Sequence, residues 1–275
     1  MNGARKLHRI EFCQVHADSI AGSCLREDAE MGATELSPWS ITATNLPEHA
    51  RNPIHTDDGG RAAGFPGALV AGVTVYAYLC HVPLVAFGAQ WVTSGACEVR
   101  FRRPVFDNDL VCCEPATVEG DAMICAMTEG NEQPRATLTL LDFDQQVPDL
   151  RNGDDLDDIV VHLNDSHGSD YALRAGDELE LCTRLGLVHP AVWPDLGNQV
   201  MHTQLARGSW VHTRSIIRHH AAVEVGAIAT VSSRVVNRFF AHGERAVIDV
   251  HIRVGDTVVA SLEHEAIIDL TATGG

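Results

Sequence analysis

From Phe65 to Phe87 the chain is almost wholly apolar. The stretch has the length of a membrane span, about 20 residues. It also holds Pro66, Gly67, Gly72, Thr74, His81 and Pro83, and no second span accompanies it. A helix that is apolar all round is embedded either in lipid or in protein, and in a chain this acidic the protein-wrapped reading prevails. The pattern predicts a helix from Pro66 to about Val82, with the proline suited to its first turn. Trp91 follows, and then alternating segments read as strands over Cys97–Arg103, Leu110–Val118, Ala122–Thr128 and Arg135–Leu141. Gly120-Asp121 and Gly130-Asn131 mark the turns between them. The second half repeats the order: a helix from Pro190 to about Leu205, then Trp210, then strands over Val211–Ile217, Ile228–Val236, Arg245–Val254 and Thr257–Leu270. The last two alternate cleanly around Gly255-Asp256, as a half-buried antiparallel hairpin does.

A helix followed by several antiparallel strands, occurring twice, is an α+β organisation with a pseudo-duplication. The segment between the halves, Asp142 to Asp158, packs seven aspartates and one arginine into seventeen residues and shows no apolar period. It reads as a solvated tether. Its spacing does not fit a calcium loop, which needs a glycine at the sixth position and a closing glutamate. The expected boundaries are residues 1–141 for the first unit, 142–170 for the acidic linker and 171–275 for the second unit.

Charge and composition narrow the function. The 275 residues carry a formal charge of −17, with −6 of it in the tether. Such a chain is repelled by nucleic acid and by anionic membranes. The amino terminus is basic and does not read as a signal peptide, and the cysteine usage leads us to expect a cytoplasmic protein. The eight cysteines form no C-x-x-C pair, and Cys112-Cys113 are adjacent, which suits reduced core thiols better than a metal site. The fifteen histidines show no H-x-H and no H-x-x-x-H on a convincing helix. His219-His220 lie side by side in a strand and so point to opposite faces. With no G-x-G-x-x-G, Walker-type or G-x-S-x-G motif either, neither a metal nor a cofactor is expected, and Gly59-Gly60 reads as a turn.

The candidate chemistry lies just upstream of the apolar run. Arg51-Asn52-Pro53-Ile54-His55-Thr56-Asp57 leads through Ala63-Gly64-Phe65-Pro66 to Gly72, seventeen residues after His55. A helix N-terminus offers unpaired N–H groups to an oxyanion, and a nearby histidine supplies a proton-transfer group. This string resembles the hydratase motif of the MaoC-like (R)-specific enoyl-thioester hydratases. Val99-Arg100-Phe101-Arg102-Arg103-Pro104-Val105-Phe106, followed by Asp109, is similar to the family's next strand and turn. The resemblance implies a double hotdog: two curved antiparallel sheets, each wrapping a long helix, paired within one chain. It further implies reversible hydration of an enoyl thioester carried by coenzyme A or acyl carrier protein. His55 would be the acid/base, Gly72 the oxyanion donor and Asn52 the residue that orders the loop. Asp57 matches a family position, with a structural role. Phe65 is placed with the acyl group, and Arg100, Arg102 and Arg103, or else Arg51 and Arg61, would meet an anionic carrier.

The string departs from the family's at three positions. Where the family has its catalytic aspartate this chain has Ala50, where it often has histidine before the glycine there is Ala71, and Cys80 stands where a serine is frequent. His49, Glu48, Asp57 and Asp58 are the candidates to replace the aspartate. Two alternatives stay open: a hotdog acyl thioesterase using Asp57 or Asp58 to activate water, and a weakly active acyl-binding or partner subunit. The second half carries no matching histidine in Ala175–Cys182 and is expected to shape the acyl pocket. Assembly beyond the intramolecular pair, such as a homodimer, is left open.

Overall fold

The computed structural model describes residues 35–270. The basic amino-terminal stretch, with Lys6, Cys13 and Cys24, and the final Gly274-Gly275 lie outside the described residues. The first half runs β1 (Trp39–Thr42), α1 (Asp57–Ala62), α2 (Gly72–Phe87), α3 (Ala89–Ser94), β2 (Ala96–Phe101), β3 (Leu110–Val118), β4 (Asp121–Thr128) and β5 (Ala136–Leu141). The second runs β6 (Asp154–Asp155), β7 (Ile159–His162), α4 (Tyr171–Arg174), α5 (Leu181–Leu185), α6 (Val192–Val200), β8 (Val211–His219), β9 (Ile228–Phe240), β10 (Glu244–Val254) and β11 (Thr257–Asp269).

Helix α2 is buried from Val73 to Leu84 except at His81. Having no polar face, it is held by enclosure, and it packs against β1, β3, β4 and β5 of its own half and β8 of the other. No helix among the described residues is long and apolar enough to cross a membrane. The helix starts at Gly72 and not at Pro66. The intervening residues are captured by tertiary pairing: Asp57 Oδ1 accepts from the Ala68 N–H at 3.0 Å, and the Val70 N–H donates to the Val105 carbonyl at 2.8 Å. Gly72 is therefore the first helical residue, where an N–H has no carbonyl of its own helix to meet.

The strands form one continuous sheet in the order β1-β3-β4-β5-β2-β8-β11-β10-β9-β6, with β7 also paired to β9. The order within the second half mirrors that within the first, each half placing the strand after its helix (β2, β8) at the centre. There β2 and β8 pair antiparallel, with Cys97 opposite Ile217 and Val99 opposite Ser215. The two curved sheets of the double hotdog are thus fused edge to edge, which hides both central edges from solvent. In the second half α6 continues into a π-helical turn over Met201–Leu205. It begins two residues later than Pro190, after His189 Nδ1 has accepted the Ala191 N–H at 3.1 Å.

The acidic tether is more than a solvated connection. Arg151 lies over the second sheet, its Nε 2.9 Å from Asp249 Oδ2 and a terminal nitrogen 2.6 Å from Glu263. Asp155 meets Arg234 at 2.6 Å, and Asp154–Asp155 and Ile159–His162 pair with β9. One arginine and two short strand pairings are enough to lay the acidic segment along the sheet.

Candidate active site

A cavity of about 270 Å³ opens where the two halves meet, at the N-terminus of α2. The first half contributes His55, Phe65, Gly72, Phe101, Arg102 and Arg103 to its wall. The second contributes Asn198, Trp210, His212 and Arg245. Among the described residues that line it there is no aspartate or glutamate.

His55 stands at the end of a short 3-10 turn over Pro53–His55. Its Nδ1 lies 2.8 Å from the Leu69 carbonyl. A carbonyl can only accept, so Nδ1 carries the hydrogen and Nε2 keeps a lone pair whenever the ring is neutral. Burial depresses its pKa to about 4, against a smaller opposite effect from the Leu69 bond. The ring is therefore a neutral base of fixed tautomer at pH 7. Its backbone is held on both sides, the N–H by the Asn52 carbonyl at 3.0 Å and the carbonyl by Asn45 Nδ2 at 2.9 Å.

Asn52 is buried, and it joins this loop to the other half of the molecule. Its Nδ2 donates to the Trp210 carbonyl at 2.9 Å, while its Oδ1 faces the Ile54 and Trp210 N–H groups at 3.5 Å. Asn52→Ala leaves a buried carbonyl without its donor, a loss of about 1–3 kcal/mol. Urea denaturation is expected to show a lowered midpoint with an unchanged slope, since compactness is not at stake.

Asp57 is exposed and does not line the cavity. The Ala68 N–H and the Arg61 guanidinium hold its carboxyl below the usual range, and it pins the loop that delivers Gly72. Of the three arginines singled out in the strand, Arg102 and Arg103 reach the cavity and Arg100 does not; Arg100 pairs with Glu98 at 2.8 Å. Arg61 is paired with Asp57 at 3.2 Å, and Arg51 lies 3.6 Å from the buried Asp195.

Around the missing aspartate, Ala50 is exposed and its neighbour His49 is buried. The His49 ring meets that of His55 edge-on at 5.9 Å between centroids. His49 Nε2 bonds the Tyr171 hydroxyl at 2.8 Å, and that hydroxyl meets Thr74 Oγ1 at 3.1 Å. Burial lowers the His49 pKa, and the Asp195 charge on α6 is the main opposing influence. Glu48 is tied to Arg174; burial alone would raise its pKa, but the Glu48 backbone N–H and that arginine bring it below the usual range. None of the four candidate substitutes stands free on the cavity wall. Sequence reasoning missed Asn198, His212 and Arg245, which come from the second half.

Among the described residues no group of three or more His, Cys, Asp or Glu side chains is placed to hold a metal ion.

No protein-family model and no curated protein sequence matches the chain. Solved structures do. A MaoC-like dehydratase superposes with a TM-score of 0.55 at 14% identity, over 86% of this chain and 98% of that one. A double-hotdog protein from Mycobacterium tuberculosis gives 0.58 at 11% identity, over 86% and 96%. An oleoyl thioesterase from Lactobacillus plantarum gives 0.50 at 9% identity, over 86% and 98%. The chain has the double hotdog fold and is similar in structure to MaoC-like dehydratases and to that one thioesterase.

Proposed function

We propose that the protein hydrates enoyl thioesters, or dehydrates 3-hydroxyacyl thioesters in the reverse direction. The observation that carries this reading is the pairing, on one cavity, of a neutral histidine of fixed tautomer with the first N–H of a buried helix. Hydration needs two things: a base to activate water, and a donor for the charge that develops on the thioester oxygen. His55 Nε2 takes a proton from the water whose hydroxyl adds to C3. The same proton passes from Nε2 to C2, so that one water is added across the double bond and the histidine returns to its starting state. Meanwhile the Gly72 N–H meets the thioester oxygen as it becomes enolate-like, at the positive end of α2.

The absence of a carboxylate among the described residues that line the cavity favours this histidine chemistry over a thioesterase mechanism built on Asp57 or Asp58. Both of those residues sit in the exposed first turn of α1. The anionic part of coenzyme A or of a carrier protein would meet Arg102 and Arg103, which are exposed at the cavity. They offset locally the acidity of the whole chain.

The test uses crotonyl-CoA and longer enoyl-CoAs, following loss of the enoyl chromophore and release of free thiol in parallel. Chromophore loss without thiol release is expected, falling by about 10²–10⁴-fold in His55→Ala. Thiol release as the main reaction would replace the hydratase reading with the thioesterase one. Acyl-CoA binding without turnover would replace it with the acyl-binding one.

A further inference from the structure

The second half of the molecule places a buried polar chain against the cavity. His212 Nε2 lies 2.8 Å from Ser215 Oγ, and Ser215 Oγ lies 2.8 Å from His264 Nδ1. All three side chains are nine-tenths or more buried, and the two imidazoles stack with centroids 4.1 Å apart. Ser215 and His264 are direct partners across β8 and β11.

His212 should not be there on the period of a strand. Residues three apart point to opposite faces, so His212 and Ser215 could not both face inward from a regular β8. A bulge solves this: Arg214 pairs with Glu265, but His212 pairs with Ala266, so Thr213 is the extra residue. Such bulges re-aim side chains and are common beside active sites. Here the re-aimed ring lies on the cavity wall, and its Nδ1 is buried with no hydrogen-bond partner among the described residues. A β-carbon built on Gly72 would lie 3.5 Å from that same nitrogen. The free imidazole nitrogen and the oxyanion-binding end of α2 are thus neighbours.

We propose that His212 is the second donor of the oxyanion hole, its Nδ1–H meeting the thioester oxygen beside the Gly72 N–H. The proposal rests on the acyl-thioester reading. Ser215 and His264 are positioning residues. His264 Nδ1–H donates to Ser215 Oγ, Ser215 O–H donates to His212 Nε2, and this order leaves the hydrogen of the His212 ring on Nδ1. Burial keeps both rings neutral, holding the His212 pKa well below the usual value and that of His264 at about 3. A neutral imidazole polarises a carbonyl without bringing a buried charge, and the aligned chain strengthens it as the oxygen charges. The arrangement also gives the second half a part in the chemistry, although it carries no copy of the hydratase motif.

The test compares His212→Asn, which keeps an N–H near the place of Nδ1, with His212→Gln, which extends its amide toward Ser215, and with His212→Phe. Losing one oxyanion donor lowers kcat by about 10²–10³. That loss is expected in the Gln and Phe variants with KM little changed, the Asn variant recovering most of it, and the pH profile keeping its shape in all three. A readout independent of turnover is the carbonyl stretch of butyryl-CoA labelled with carbon-13 at the thioester carbon, bound to the intact protein. It is expected at lower frequency on the wild type and the Asn variant than on the Gln and Phe variants, with thermal unfolding checked for each. Equal frequencies on all four proteins overturn the proposal, as does failure of the wild type to bind the labelled thioester. A shifted carbonyl on a protein that hydrates no enoyl-CoA would retain the oxyanion donor and remove the hydratase reading alone.

Discussion

Between pH 7 and pH 5.5 the protein is expected to lose about 5 kcal/mol of stability, against the roughly 5–15 kcal/mol that a folded domain possesses. The cause is five buried or half-buried imidazoles that the fold accepts only as neutral rings. Burial pushes His55, His189 and His219 down to about 4 and His264 to about 3, with His212 held well below the ordinary value. The contacts explain why protonation cannot be absorbed locally. His189 Nδ1 accepts the Ala191 N–H at 3.1 Å, so a proton on that nitrogen breaks the entry into α6. His219 Nδ1 already donates to the Trp91 carbonyl at 2.6 Å, and its Nε2 has no partner among the described residues to receive a second hydrogen.

These folded pKa values lie below the unfolded one of about 6.5, so in the acid range the unfolded chain binds more protons and stability rises with pH. The stabilisation is present above pH 6.5 and is lost as pH falls toward 4. Each ring contributes about 1 kcal/mol of that loss by pH 5.5, since one pKa unit corresponds to 1.36 kcal/mol. Urea titrations at pH 7.0, 6.5, 6.0 and 5.5 should show the midpoint falling at each step, with about four protons taken up per molecule on unfolding at the lowest pH. A midpoint that stays level across this range would show that the rings are solvated or already charged in the folded state.

His212 and His219 also mark where the sequence was legible and where it was not. Strand alternation correctly separates His219 from His220, since one is buried and the other half-exposed. The same alternation conceals His212, because a bulge depends on how two strands pair and leaves no trace in either alone. Leu110–Val118 is found where the pattern puts it, and the other strands shift by a few residues at their ends. The start of α2 was misplaced because a proline at a first helical turn is a local preference. Capture of Ala68 by Asp57 and of Val70 by Val105 is tertiary and overrides it. Arg151 hides in a run of aspartates, where composition points to solvent and only the carboxylates of Asp249 and Glu263 say otherwise. His55, Gly72 and Phe65 were legible because a contiguous motif builds that side of the cavity. Asn198 and Arg245 were not, because folding brings them there from far along the chain.

Gly59→Ala is expected to reduce turnover about 10²-fold, while leaving the His55 side chain intact. A Gly59-Gly60 pair looks like a turn, yet both residues belong to α1, and that helix is pressed against the turn carrying His55. A β-carbon at Gly59 would fall 1.9 Å from the Pro53 carbonyl oxygen and 2.4 Å from its carbon. Backbone has no rotamer with which to retreat. The Pro53 carbonyl is also occupied, accepting the Thr56 N–H at 2.9 Å and the Thr56 hydroxyl at 2.8 Å. Thr56 in turn caps α1 through the Gly59 N–H at 3.1 Å. Pushing the carbonyl away therefore opens the turn at Pro53–His55 and unseats the cap together. The His55 ring then leaves the Leu69 carbonyl that fixes its tautomer, and a displacement of about 1 Å in a reacting group can cost 10²-fold. Overpacking of this kind also destabilises by about 1–3 kcal/mol. The discriminating measurement pairs kinetics with unfolding on Gly59→Ala and Gly64→Ala. A β-carbon at Gly64 meets nothing within 4 Å, but its φ of +88° strains any side chain. The Gly64 variant should therefore lose stability by backbone strain and keep most of its turnover. A Gly59 variant that folds and turns over like the wild type would show that His55 is not held by the α1 contact.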